Sequence, residues 1–116
     1  VVDDNQDAAE TLSIMLEGLG YSPSAVFDGD AALRAIKTTR PDVVLLDIGL
    51  PGLSGWEVAQ KVRSEVADPP PLIAVTGYGQ PSDRARSVEL GFHEYFTKPI
   101  QLEQLSASLA RLLGPA

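Results

Sequence analysis

The 116-residue sequence contains no cysteine and only one histidine, one tryptophan and one methionine. Without cysteine there is no disulfide framework, no thiolate metal site and no cysteine nucleophile, a composition compatible with a reducing compartment. The single histidine, His93, precedes Glu94 in a predicted loop with no helix to present it, so it reads as an exposed side chain rather than a phosphorylated one. Basic residues are also scarce: 9 Lys and Arg against 16 Asp and Glu give a net charge of −7. Such a surface repels phosphate backbones and argues against direct nucleic-acid binding by this segment. No apolar run approaches the roughly 20 residues that span a bilayer, and no signal peptide is visible, so the segment reads as soluble. The length suits one globular domain over residues 1–116. It opens on Val1-Val2-Asp3 without an initiator methionine, and the expectation is a first strand truncated at its start.

What the chain does have is a buried strand that ends on an acid. Val43-Val44-Leu45-Leu46 is a continuous apolar run of the kind found in a central parallel strand, and it ends on Asp47. Ile48-Gly49-Leu50-Pro51-Gly52 follows, a loop that cannot continue regular structure. Open α/β sheets place their chemistry at this end of a strand.

Four further strand–helix alternations surround that unit. Val1-Val2 reads as the end of a strand, followed by Asp4 or Asn5 as a helix cap. Ala9, Leu12, Leu16 and Leu19 then form the stripe of an amphipathic helix over 7–19, stopped by Gly20. Residues 21–27, with Ala25-Val26-Phe27 between Pro23 and Asp28-Gly29, predict a short second strand. Asp28 caps a helix with Ala32, Leu33 and Ile36 inward, ending before Pro41. Ser54 and Glu57 have capping-box spacing, and Val58, Ala59, Val62 and Val66 form the stripe behind them until the proline run 69–71. Leu72-Ile73-Ala74-Val75 predicts a fourth strand. Thr76-Gly77-Tyr78-Gly79-Gln80-Pro81 is turn-rich, and a helix over 82–90 has the weakest apolar stripe of the set. Residues 94–97 predict a fifth strand. After Lys98-Pro99 comes a last helix with Leu102, Leu105, Leu109 and Leu112 inward, closed by Gly114-Pro115. Regular alternation of this kind predicts one parallel sheet with helices on both faces, a three-layer α/β/α sandwich.

Parallel strands point the same way, so Asp3, Asp4, Asp47, Thr76 and Lys98 all fall on one rim. Three carboxylates there repel one another until a cation relieves them. Oxygen donors with no neighbouring His or Cys favour a hard ion, and a site with few protein ligands that must also receive phosphate suits Mg²⁺ better than Ca²⁺. An aspartate can itself attack phosphorus, with a cation, a lysine and a hydroxyl sharing the charge on the transferred oxygens. Asp47 is the candidate nucleophile.

Asp3-Asp4, Asp47 through Gly55, Thr76-Gly77 and Tyr95-Phe96-Thr97-Lys98-Pro99, each at a predicted strand end, together resemble the receiver domain of two-component response regulators over essentially the whole chain. The resemblance implies a flavodoxin-like fold with a five-stranded sheet in order 2-1-3-4-5. It implies that Asp47 takes a phosphoryl group from the phosphohistidine of a histidine kinase or phosphotransfer domain. Asp4, Asp47 and the Gly49 carbonyl would ligate Mg²⁺, with Asp3 acting mainly through a metal-bound water. Thr76 and Lys98 would hold phosphoryl oxygens. Tyr95 would change rotamer with Thr76 and alter the face made by the fourth helix, fifth strand and fifth helix, passing the signal to an output domain or partner protein. It also implies a bacterial, cytoplasmic setting and a protein that phosphorylates and slowly dephosphorylates itself rather than a turnover enzyme. Gly77 stands where the family usually has another small residue, and the loop from Thr76 to Gln80 is similar to receivers attached to hybrid sensor kinases.

Plainer roles exist for each residue. An Asp-Asp pair is commonly a solvated helix start, Thr76 a capping hydroxyl, Lys98 a surface charge, Tyr95 packing in a half-buried strand and Trp56 packing or surface near Asp47. Asp28, Asp30, Asp42 and Asp68 read as caps and turn residues. The alternative function is a pseudo-receiver, an interaction module without phosphoryl transfer. An aspartyl phosphatase is a third reading, disfavoured because Asp47-Ile48-Gly49 offers no general acid two residues on.

Overall fold

The computed structural model of the chain describes residues 1–50, 52–77 and 81–114. The expectations that involve Pro51, Tyr78-Gly79-Gln80 and Pro115 lie outside the described residues. Three strands, β1 (Val44–Asp47), β2 (Leu72–Thr76) and β3 (Glu94–Thr97), form a parallel sheet in the order β1-β2-β3. Five helices accompany them among the described residues: α1 (Gln6–Gly18), α2 (Gly29–Thr39), α3 (Gly55–Glu65), α4 (Pro81–Glu89) and α5 (Leu102–Leu113).

The first two predicted strands are present only as single parallel bridges, from Val2 to Val26 and from Val2 to Leu46. The resulting sequence of segments across the sheet is Val26, Val2, β1, β2, β3, which is the expected order 2-1-3-4-5 with its first two members shortened. The pairing uses Val1, Val2 and Asp3 alone: Val26 N–H donates to the Val1 carbonyl at 2.9 Å, Asp3 N–H to that of Val26 at 3.2 Å, and Val2 N–H to that of Leu45 at 2.7 Å. The expected strand over 21–27 is present only in the neighbourhood of Val26.

Alternation along the strands divides the interior into two layers. Val44, Leu46, Leu72 and Ala74 face Ala32, Ile36, Val58, Val62 and Phe92 on the side of α2 and α3. Leu45, Ile73 and Val75 face Leu16, Leu105 and Leu109 on the side of α1 and α5. Each fully buried Leu or Ile contributes about 1.5–3 kcal/mol relative to exposure, so the inward leucines of α1 and α5 hold these helices on the sheet. Leu102 departs from its predicted place in that stripe. It is the first residue of α5 and stays 47% exposed, the helix turning inward only from Leu105. Val66 likewise falls just outside α3, as its C-cap.

Helix starts follow local chemistry. The α1 cap is Asn5, whose side chain accepts from Ala8 N–H at 3.1 Å, leaving Asp4 exposed and free of that task. Asp28 caps α2 through Ala31 N–H at 2.7 Å, and Ser54 with Glu57 forms the full capping box of α3. α4 is the exception to burial: Ser87 is its one buried side chain among the described residues.

Candidate functional site

Strand register brings the rim residues together. Asp47 pairs with Val75, Thr76 pairs with Thr97, and Val2 bridges Leu46, so Asp3 comes level with Asp47. Lys98 N–H donates to the Thr76 carbonyl at 2.7 Å, fixing the base of the lysine against β2.

Asp3 and Asp47 are buried, at 5% and 8% exposure, while Asp4 is exposed. Buried carboxylates require partners, and both find the same ones in kind. Asp3 Oδ1 accepts from Asn5 N–H at 2.9 Å and Asp47 Oδ1 accepts from Gly49 N–H at 3.0 Å, each an Asx turn closed two residues on. Their other oxygens share one ammonium: Lys98 Nζ lies 2.7 Å from Asp3 Oδ2 and 3.1 Å from Asp47 Oδ2. Desolvation works to lower the Lys98 pKa, but the hydrogen bonds to Asp3 and Asp47, followed by their charges, outweigh it and the net direction is upward. Lys98 therefore remains an ammonium at neutral pH and supplies, from the chain itself, a cation that relieves the clustered acids.

Oxygen atoms of Asp3, Asp4 and Asp47 all lie within 4.8 Å of one another. An all-oxygen set of this size fits a hard divalent cation and offers little to a soft one. Thr76, at 9% exposure, closes the rim on the β2 side. Tyr95, three positions before Lys98 on β3, is 7% exposed, and its ring lies under the Arg84 guanidinium at 5.0 Å. His93 is exposed, as its loop position indicates, and Trp56 is buried within the interior layer of α3.

Two features escaped sequence reasoning. One is the amide clamp of Asn5 on Asp3; the Asx-turn preference of Asp was the available signal. The other is a cleft of about 520 Å³ beside the acids, walled by Leu12 and Met15 of α1, Val75, Lys98 and Ile100. It opens between two segments distant in sequence, so no local pattern announces it.

A model of the response regulator receiver domain matches residues 1–110. The chain belongs to this family. The receiver is 39% identical over 109 residues to the transcriptional regulatory protein DltR of Streptococcus agalactiae serotype III (strain NEM316), a match covering 94% of this chain and 48% of that protein. It is 37% identical over 113 residues to the DNA-binding response regulator MtrA of Mycobacterium tuberculosis (strain ATCC 25618 / H37Rv), covering 97% and 49%. The chain thus spans about half the length of the curated relatives it matches. Among solved structures, the receiver domain of sensor histidine kinase PA1611 from Pseudomonas aeruginosa PAO1, described with a magnesium ion coordinated in its active site cleft, is similar with TM-score 0.87 at 32% identity, covering 97% of this chain and 93% of that one. The signal receiver domain of a putative Luxo repressor protein from Vibrio parahaemolyticus is similar with TM-score 0.90 at 25% identity, covering 97% and 85%. The three-layer α/β class expected from the strand–helix alternation and the flavodoxin-like fold implied by the resemblance hold for this chain, as does its membership of the response regulator receiver domains. No helix of the described residues is long and apolar enough to cross a membrane.

Proposed function

We propose that this receiver is a phosphoacceptor switch in which Asp47 takes a phosphoryl group from the phosphohistidine of a histidine kinase or phosphotransfer domain. The observation that carries the reading is the Lys98 ammonium held between Asp3 and Asp47 on one strand rim. A carboxylate oxygen of Asp47 attacks phosphorus, an O–P bond forms, and the P–N bond to the donor imidazole breaks with its electron pair returning to nitrogen. Lys98 already lies within reach of that oxygen, and in this reading it transfers its hydrogen bond to the incoming phosphoryl group, joined by the Thr76 hydroxyl. Asp4, Asp47 and the Gly49 carbonyl would hold Mg²⁺, with Asp3 beside them, and the bound ion supplies neutralisation of the charge on the transferred oxygens. Tyr95 then answers the change at Thr76, and the surface of α4, β3 and α5 carries the signal.

The output belongs, in this reading, to sequence joined to the domain or to a partner protein. Regulators named as transcriptional or DNA-binding and a sensor histidine kinase both contain receivers similar to this one. The net charge of −7 keeps the receiver itself away from nucleic acid. The same soluble, anionic surface suits a cytoplasmic setting.

Intact-mass spectrometry after incubation with a small-molecule phosphodonor and Mg²⁺ tests the proposal. One added phosphoryl group is expected on the wild-type chain and none on Asp47→Asn. Absence of the modification in wild type, or its persistence in Asp47→Asn, overturns the assignment; the former returns the pseudo-receiver reading.

A further inference from the structure

The cleft beside α1, about 520 Å³, has the size of a small-ligand pocket, a class that spans roughly 300–1,000 Å³. Leu12 and Met15 of α1, Val75 of β2 and Ile100 give it an apolar lining that is continuous with the interior layer of α1 and α5. Leu12, Met15 and Ile100 are only half-buried, so part of this apolar surface still faces water. Covering that surface is favourable for any ligand with a hydrocarbon body.

The polar groups of the rim are unequal. Lys98 is the one cation among the described lining residues, and its ammonium is already engaged by Asp3 at 2.7 Å and Asp47 at 3.1 Å. Asp7, in the first turn of α1, also lines the cleft; it is exposed and enters no ion pair among the described residues. Thr11 follows Asp7 at the four-residue spacing that puts two side chains on one helix face, and it lines the cleft too. Beside that polar row runs the apolar row of Ala8, Leu12 and Met15. One helix thus presents an unpaired carboxylate and a hydrocarbon surface to the same cavity. An anion entering here meets a lysine already neutralised and a chain of net charge −7, whereas a cation meets attraction.

We propose that this cleft binds a small amphipathic organic cation, an amine carried on an apolar body. Its hydrocarbon lies against Leu12, Met15, Val75 and Ile100, and its ammonium donates to the Asp7 carboxylate and the Thr11 hydroxyl. Neither contact uses Asp47 or a metal, so the site stands whichever residue accepts phosphate.

Met15 is the only methionine of the chain, so methyl-¹³C-methionine labelling gives a single NMR resonance in the cleft wall. Titration of the whole chain with 4-phenylbutylamine should move that resonance along a saturating curve. The anion 4-phenylbutyrate, of the same length and opposite charge, should bind about tenfold more weakly. Shortening the amine by one methylene, to 3-phenylpropylamine, should weaken it about two- to fourfold. Asp7→Asn should weaken 4-phenylbutylamine by about fivefold, the upper range for an exposed ion pair, with an unchanged circular dichroism spectrum. A Met15 methyl that does not move, or that moves linearly without a plateau, overturns the proposal. Binding of 4-phenylbutyrate as tight as that of the amine overturns it as well, by assigning the rim to Lys98, and so does an amine affinity unaltered in Asp7→Asn.

Discussion

The Lys98 ammonium lies 3.1 Å from Asp47 Oδ2, so the acid proposed to receive phosphate is already ion-paired before any ligand arrives. That pairing ties the stability of the domain to the chemistry of its site, because Asp47 is at once a partner of Lys98 and a member of the Asp3, Asp4 and Asp47 oxygen cluster.

Lys98→Ala should therefore have two opposite effects. Without metal it leaves Asp3 and Asp47 facing each other unpaired in a buried setting, a cost of about 2 kcal/mol in denaturant unfolding. With Mg²⁺ the competing positive charge is gone, and affinity by isothermal titration should rise roughly tenfold. Weaker Mg²⁺ binding in the variant would show that the ammonium assists the metal instead of competing with it.

Gly55 opens α3 against the end of β1, and a Cβ built there would stand 2.6 Å from the Asp47 carbonyl oxygen and 2.7 Å from Ile48 Cα. Both neighbours are backbone atoms that cannot rotate aside. Gly55→Ala should lower stability by about 2–3 kcal/mol through forced separation of α3 from β1. Gly18→Ala, at the last position of α1 with nothing within 4 Å among the described residues, should instead be neutral or gain up to about 1 kcal/mol. Equal effects in chemical denaturation would refute the steric account.

The Tyr95 phenol has its pKa raised above the ordinary 10.0, first by burial and then by the Asp83 carboxylate, with Arg84 opposing both. The folded state thus holds this proton more tightly than the unfolded chain does. Its contribution is fully present below about pH 10 and is lost as pH climbs through the raised folded value. Tyr95→Phe should show a shallower decline of stability above pH 10, measured by urea midpoints across the alkaline range. An unchanged slope would place the alkaline sensitivity elsewhere.

The elements of the fold were legible wherever apolar spacing was strong. The runs ending at Asp47 and Thr76 and the stripes through Leu16 and Leu105 correspond to β1, β2, α1 and α5, because burial and periodicity are the same fact seen twice. The first two strands were less legible. Propensity in 21–27 says nothing about how far a strand pairs with its neighbour, and there the pairing is a single bridge from Val26 to Val2. At the site, the gathering of Asp3, Asp4, Asp47, Thr76 and Lys98 on one rim followed from parallel topology. Which acid is buried did not: Asp3 and Asp4 are adjacent and chemically identical, and only the bridge at Val2 decides that Asp3 turns inward. The contacts of Arg84 with the Tyr95 ring and of Arg86 with the Trp56 ring were invisible for a similar reason, since cation–aromatic contacts join segments with no shared pattern.

Asp3 and Lys98 are separated by 95 positions and joined at 2.7 Å, while Asp47 lies between them in the chain. A loop of that length closes late, after the local strand–helix units have formed. The ion pairs of Lys98 with Asp3 and Asp47 consequently do not exist in any partly folded chain that lacks β3, however much of the sheet it has built. Neutralisation of Asp3 and Asp47 by an ammonium thus becomes a report on completed folding, and an unfinished receiver keeps its two buried acids without that cation.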